Sequence, residues 1–302
     1  MQIATAVDGK KAEGYLELSP SEALWIRMKN HRGLITGFTI IVVMVVLAIL
    51  APLLAPHDPY LQDLAKRLMP PVWDDRGSWA YPLGTDHLGR DYLSRLLYGA
   101  RISLIIGMGA ASIGCIIGVS LGICAGYFGG RIDLAVNYIL TCQLALPGLL
   151  LTMSLVFLIG PSVTVVICVI GFLHWTYFLI VTRAATMQIR HLDYITAARA
   201  LGTPRRKIIL YEILPNVLNQ IIVVFTLEVG IAIIAEASLS FLGVGVPAPN
   251  PSWGLMISEG KSSMFFRPWL VVMPGIALFL VVVGINLMGD GMRDVTAPEH
   301  RN

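Results

Sequence analysis

The chain has 302 residues, 56% of them hydrophobic and only 14% charged, with a formal net charge of +3 and a mean hydropathy of +0.72. Soluble domains carry about 25% charged residues, so this composition excludes a soluble globular protein and points to an integral membrane one. The small positive charge needs no nucleic acid to explain it, because basic loops on the inner side of a membrane supply it.

A membrane span needs about 20 apolar residues. Six stretches approach that length, at 34–54, 101–126, 135–159, 162–181, 217–240 and 269–289. An arm, 1–33, precedes the first. Within it Ser19-Pro20-Ser21-Glu22 starts a short helix running to about His31. There Leu24, Trp25, Ile26 and Met28 beside Arg27, Lys29 and Arg32 suit either a helix at the inner surface or a basic flank to the first span. The first span, 34–54, lacks a small-residue cleavage site and reads as a retained anchor. The polar segment 55–100 follows, rich in Pro and Trp. Near its end Gly84, Gly89 and Gly99 punctuate two short amphipathic pieces, and Asp86, Arg90, Asp91 and Arg95 read as a local ion-pair lattice, which either positions the second span or contacts the substrate.

The second span carries Ala110, Gly114, Gly118, Gly122 and Gly126, a small residue at every fourth position, which predicts a close packing seam within the bundle or against a partner. Pro147-Gly148 should kink the third span. The fourth opens at Pro161 and contains His174-Trp175, where His174 either lines a pore or makes a hydrogen-bonded packing contact. Glu228 and Glu236 are the carboxylates inside the fifth span, eight residues apart and so roughly on one face. An ionised group at mid-membrane costs at least ~2.5 kcal/mol, so such residues face the bundle interior or a watery path. Glu228 is the better path candidate; for Glu236 a bond to a loop competes.

Between the fourth and fifth spans lies DYITAARALGTPRRKIILYEILPN, 193–216. Asp193 suits the N-cap of a short helix and Gly202 the left-handed position past its end. Thr203-Pro204 restarts a helix, with Thr as N-cap and Pro at the first position, and Leu214-Pro215-Asn216 breaks it and caps the next span. Ala197, Ala198 and Ala200 leave one face without bulk, open to another protein. Fourteen of the 22 Lys and Arg fall on the inner side if both termini are cytoplasmic. Six of those, Arg183, Arg190, Arg199, Arg205, Arg206 and Lys207, cluster around this hairpin and place it in the cytoplasm.

The pattern T-A-A-x3-G-x11-L-P resembles the "EAA" loop of permease subunits in bacterial ABC importers. Two positions depart from it: Thr196 stands where the motif has Glu, and Glu212 where Ile is expected. The blocks LGTDHLGRDYLSRLLYGARISL (83–104), SLSFLGVGVPAPNPSWGLM (238–256) and NLMGDGMRD (286–294) are similar to the dipeptide/oligopeptide/nickel permease family, specifically its "C"-type subunit. That resemblance implies an all-α integral membrane protein with six transmembrane helices, the type I ABC importer permease fold, and a cytoplasmic coupling helix. It implies a core at 101–290, with its coupling loop at 183–216, and a cytoplasmic tail at 291–302. Thr196, Ala197, Ala198, Gly202, Leu214 and Pro215 would couple to the ATPase, and Glu228, Glu236 and His174 would line the path. Implied partners are a homologous second permease, two cytoplasmic ATPase subunits that use ATP and Mg, an extracytoplasmic solute-binding protein and membrane lipid. The implied location is the bacterial inner membrane, with no cofactor on this chain.

Other signals fail. Gly254–Gly260 followed by Lys261-Ser262 has five residues between its glycines where a nucleotide-binding loop has four. Gly243-Val-Gly245 mimics a dinucleotide fingerprint, but Pro247 spoils the strand–turn–helix. Cys115, Cys124, Cys142 and Cys168 lie within spans without metal-ligand spacing and read as buried structural thiols. A secondary transporter would show inverted repeats and several mid-membrane charges, which the sequence lacks. A DNA-reading role for the hairpin is opposed by its tight tethering to two spans.

Overall fold

The computed structural model describes residues 20–296 and contains no β-strand among them, only isolated bridges at Ser78–Tyr81 and Thr85–Asp91. Five helices are long and apolar enough to cross a membrane, and a bent helix pair makes a sixth. This matches the six expected spans.

Helix α1 (Pro20–Asn30) meets α2 (Arg32–Ile49) at His31, which caps α2 by accepting from Leu34 N at 3.0 Å. Ser19, the expected cap of α1, lies outside the described residues. The first span ends in a short turn, α3 (Ala51–Leu54). It packs on the last span, α13 (Trp269–Thr296), through facing glycines: a Cβ at Gly37 would stand 2.5 Å from the Gly284 carbonyl oxygen.

The second span, α4 (Tyr92–Phe128), is longer than the apolar run suggests. Asp91 caps it by accepting from Ser94 N at 2.9 Å, so the helix begins inside the polar segment 55–100. At 37 residues and 1.5 Å per residue it is about 55 Å long, against a hydrocarbon thickness of about 30 Å. Gly99 therefore sits inside a helix rather than ending one, with the ring of Trp253 against it.

The third span is broken. Helices α5 (Gly130–Leu144) and α6 (Gly148–Ile159) meet at 86° across Pro147, a sharper bend than a kink. The fourth comprises α7 (Val163–Leu173) and α8 (Trp175–Ile189), interrupted at His174. Then come α9 (Asp193–Ala200), α10 (Arg205–Lys207), a π-helical turn Ile208–Ile213 and α11 (Leu214–Phe241), and finally the short α12 (Trp253–Gly260) beneath α13.

Helix α4 is central, packed on α8, α11, α7 and α2. The glycine seam lies against α8 of the same chain, which resolves the choice between bundle and partner. A Cβ at Gly118 would stand 2.5 Å from Phe178 Cβ, one at Gly126 2.7 Å from Thr186 Cβ, and one at Gly114 3.0 Å from the His174 oxygen. Backbones approach this closely only where side chains are missing.

The cysteines depart from expectation. Cys115 is half-buried, whereas Cys124, Cys142 and Cys168 are exposed on the outside of the bundle. Lipid is as apolar as a protein core, so an apolar residue in a span has no drive to turn inward.

Candidate functional site

The hairpin between the fourth and fifth spans has its own small core. Ile195 of α9, Ile208 and Ile213 of the π turn, and Val217 of α11 are fully buried, packed on Ile123 and Tyr127 at the C-terminal end of α4. Helix α9 ends in a left-handed cap. Gly202 has φ +76°, its N–H donates to the Arg199 oxygen, and the Thr203 N–H donates to the Ala198 oxygen, both at 3.0 Å. Those two bonds satisfy carbonyls that the helix end would leave bare.

Two starts differ from the sequence reading. Asp193 is the first residue of α9 and not its cap; Leu192 holds that position with no side-chain bond, so Asp193 contributes through the helix dipole. Likewise Pro204, not Thr203, precedes the first helical residue Arg205. Pro215 does not break the chain either, since 205–241 runs as one span-length helix. A proline ring clashes with the carbonyl four residues earlier, and the wider π turn just before it gives room. Asn216 Nδ2 then donates to the Glu212 oxygen at 2.5 Å.

The bare face is also redistributed. Thr196, Ala197, Ala200 and Gly202 are exposed, and Leu201 at the tip is 86% exposed. Ala198 instead turns half-inward onto the hairpin core, as does Leu214, while Pro215 is exposed. The surface offered outward is thus Ala197, Ala200 and Leu201, with Ala198 serving to seat the hairpin.

In the middle of the bundle, two helix breaks stand side by side. The Gln143 amide, at the end of α5, donates to the Leu173 oxygen at 2.5 Å, satisfying a carbonyl at the break in the fourth span. His174, at that break, has Nδ1 2.8 Å from Glu228 Oε2 on α11. Glu228 is 1% exposed and His174 lines a cavity of about 450 Å³ with Gln143, Thr152, Tyr177 and Ile231. Glu228 stands behind His174 rather than in the cavity wall. Non-helical backbone at membrane depth is tolerated where it is buried or lines a watery cavity.

Glu236 is not part of this cluster. Its Oε1 accepts from Ser240 Oγ at 2.7 Å and from Ser252 Oγ at 2.8 Å, while Oε2 has no partner. Ser252 caps α12 and Ser240 accepts from Val246 N, so Glu236 pins the C-terminal end of α11 to the following loop.

At the other end of α4 from the hairpin, Asp86 Oδ2 accepts from Arg90 Nε at 2.6 Å and from Arg95 Nη1 at 2.5 Å. Both guanidinium groups also reach Glu259 of α12, at 3.2 Å and 2.9 Å. Arg90 and Arg95 are almost wholly buried. Asp91, expected in this lattice, caps α4 instead, and Glu259 takes its place. The sequence concealed Glu259 because it falls in the stretch that mimics a phosphate loop; there both glycines lie in helix α12. Burial pushes the Glu259 carboxyl up, against the pull of the Arg90 and His87 charges. Asp86, His87 and Glu259 come close enough to hold a cation, but the two guanidinium groups already neutralise those carboxylates and would repel one. Asp133 and Arg183 form a further pair the sequence did not suggest, at 2.8 Å between α5 and α8.

Residues 118–301 match the family described as "binding-protein-dependent transport system inner membrane component", and residues 19–71 match the "N-terminal TM domain of oligopeptide transport permease C". The chain is 38% identical to the dipeptide transport system permease protein DppC of Haemophilus influenzae, over 93% of this chain and 95% of that protein. It is 37% identical to the di/tripeptide transport system permease protein DppC of Pseudomonas aeruginosa, over 94% of each chain. It is also 37% identical to the dipeptide transport system permease protein DppC of Bacillus subtilis, over 94% of this chain and 87% of that one.

Proposed function

The chain belongs to the family of binding-protein-dependent transport system inner membrane components, and from that premise we propose that it forms half of the translocation path for a peptide-like solute. It is a non-catalytic permease subunit of an ABC importer; no step of ATP chemistry falls to its residues. In this reading a homologous second permease completes the path, an extracytoplasmic binding protein delivers the solute, and two cytoplasmic subunits hydrolyse ATP with Mg. The peptide class rests on the names of relatives aligned along nearly the whole chain.

The observation that carries the mechanical part is the exposed tip of the hairpin. Leu201, Ala197 and Ala200 present a small apolar knob that would seat in an ATPase cleft. Behind the knob, Ile195, Ile208 and Val217 join the hairpin to α11, and Tyr127 joins it to α4. Movement of the knob therefore carries α11, and with it Glu228 and the His174 it holds at the cavity. A bundle with two arrangements, biased by the nucleotide state of its partners, needs only such a continuous packed connection. His174, held from behind by Glu228, forms the polar wall of the path in this reading, and Glu236 holds the path's outer end in register. Both termini, the arm 1–33 and the tail 291–302 are cytoplasmic, and 55–100 faces outward with 34–54 as the first span and 101–290 as the core.

Two measurements test this. Uptake of a labelled dipeptide by cells lacking the gene should return with the wild-type chain; no return, with the partner subunits present, removes the peptide assignment. Single cysteines at 262 and 205, in a chain free of native cysteines, should react with an impermeant maleimide on intact cells at 262 only. Reaction at 205 alone would invert the orientation.

A further inference from the structure

The arginines near the inner hairpin fall into two groups. Arg183 is paired with Asp133, and Arg190 donates to the Gly126 oxygen at 2.8 Å. Arg199 and Arg205 have no carboxylate within ion-pair distance among the described residues. These two line one polar cavity of about 470 Å³, together with Thr203, Tyr127, Phe128 and Ile208. Arg199 is held in place by the Tyr127 ring, 4.8 Å from its centroid, so it is oriented without being neutralised.

The cavity also has a definite depth. Between Arg101 and Arg131 the chain carries no charged residue, and Phe128, which is 42% exposed, lies three residues short of Arg131. Phe128 thus lies at the end of the apolar run, and the Arg199 and Arg205 side chains line the same cavity. Basic pockets between spans at this depth recognise anionic lipid headgroups. A guanidinium binds phosphate oxygens by paired N–H donors, and the Thr203 hydroxyl adds one more donor.

We propose that this cavity binds the phosphodiester headgroup of an anionic glycerophospholipid, seated between the inner end of α4 and the coupling hairpin. The acyl chains would run along the exposed Phe128. The site depends on the depth of Phe128 and not on the solute carried. A bound lipid would brace the hairpin against α4, the same contact through which the knob acts.

The test uses the full-length chain in nanodiscs of phosphatidylcholine containing one tenth phosphatidylglycerol, with retained lipid counted by native mass spectrometry. Arg199→Gln and Arg205→Gln should each lower retained phosphatidylglycerol roughly fivefold, and the pair about 25-fold, at the usual contribution of a basic residue near a charged lipid surface. Arg206→Gln with Lys207→Gln removes the same charge outside the cavity and should leave retention within about twofold. Excess inorganic phosphate should not displace the lipid. Equal losses in the two double variants would reduce the site to general surface charge and overturn the proposal. Displacement by inorganic phosphate would assign the cavity to a soluble anion instead. Unchanged retention in the Arg199/Arg205 pair, with loss of ATPase subunit co-purification, would assign it to an acidic side chain of that partner.

Discussion

The ion lattice and the hairpin are both charged, lie at opposite ends of α4, and use their charges in opposite ways. In the lattice, Arg90 and Arg95 are buried and share Asp86 and Glu259, joining segment 84–95 to α12. In the hairpin, Arg199, Arg205, Arg206 and Lys207 have no ion pair among the described residues, and the most prominent apolar side chain, Leu201, points away from the protein. A region that pairs its own charges is finished as a scaffold. A region that leaves them open, over a small core that keeps it rigid, is built for something outside the chain.

The largest stability effect expected from this contrast is at Arg95. Arg95→Ala leaves the buried Asp86 and the half-buried Glu259 with one guanidinium between them, and breaking a buried pair from one side costs about 3–5 kcal/mol. The purified complex should melt at markedly lower temperature, with the 55–91 segment cut early by added protease. An unchanged melting temperature and protease pattern would show that the lattice does not hold the outer region together.

Next comes the seam. Gly118→Leu forces α4 away from α8, where Phe178 Cβ already occupies the space of a first methyl, and overpacking costs about 1–3 kcal/mol or more. Membrane abundance and subunit ratio should both fall. A normal subunit ratio and melting curve would mean that the two helices separate freely.

At the hairpin the stability cost is smaller and the functional cost larger. Gly202→Asp places a side chain at φ +76°, a strain of roughly 1 kcal/mol, in open space. Membrane abundance should stay normal while uptake is lost and ATP hydrolysis no longer responds to the loaded binding protein. Wild-type uptake in this variant would remove the hairpin from the coupling path.

The smallest stability change is expected at the tip. Leu201→Asp and Ala197→Arg lie on the exposed face and should alter stability by no more than about 0.5 kcal/mol, yet both should abolish uptake. Ala198→Arg should behave differently, losing abundance as well, because its side chain meets the hairpin core. Equal abundance of the Ala197 and Ala198 variants would contradict the division of that face into outward and inward positions.

Much of this was legible in the sequence because the bilayer imposes it residue by residue. The number of spans follows from apolar runs of the required length, and the inner position expected for the hairpin from its charge cluster. The glycine at every fourth position announced a tight helix pair, and Gly202 announced its left-handed turn. Pairings between distant segments were not legible. Nothing local distinguishes Glu259 from an ordinary surface carboxylate, or shows that Gln143 will satisfy a carbonyl thirty residues away. The direction in which Ala198 faces depends on where Ile195 finds its core, and the continuity through Pro215 depends on a π turn that no propensity marks. Periodicity and composition fix which segments become helices, since those are short-range properties of a chain in lipid. Which glycines meet which helix, which charges are answered and which are left open were decided only when the helices packed, because burial and pairing are properties of two surfaces and not of one.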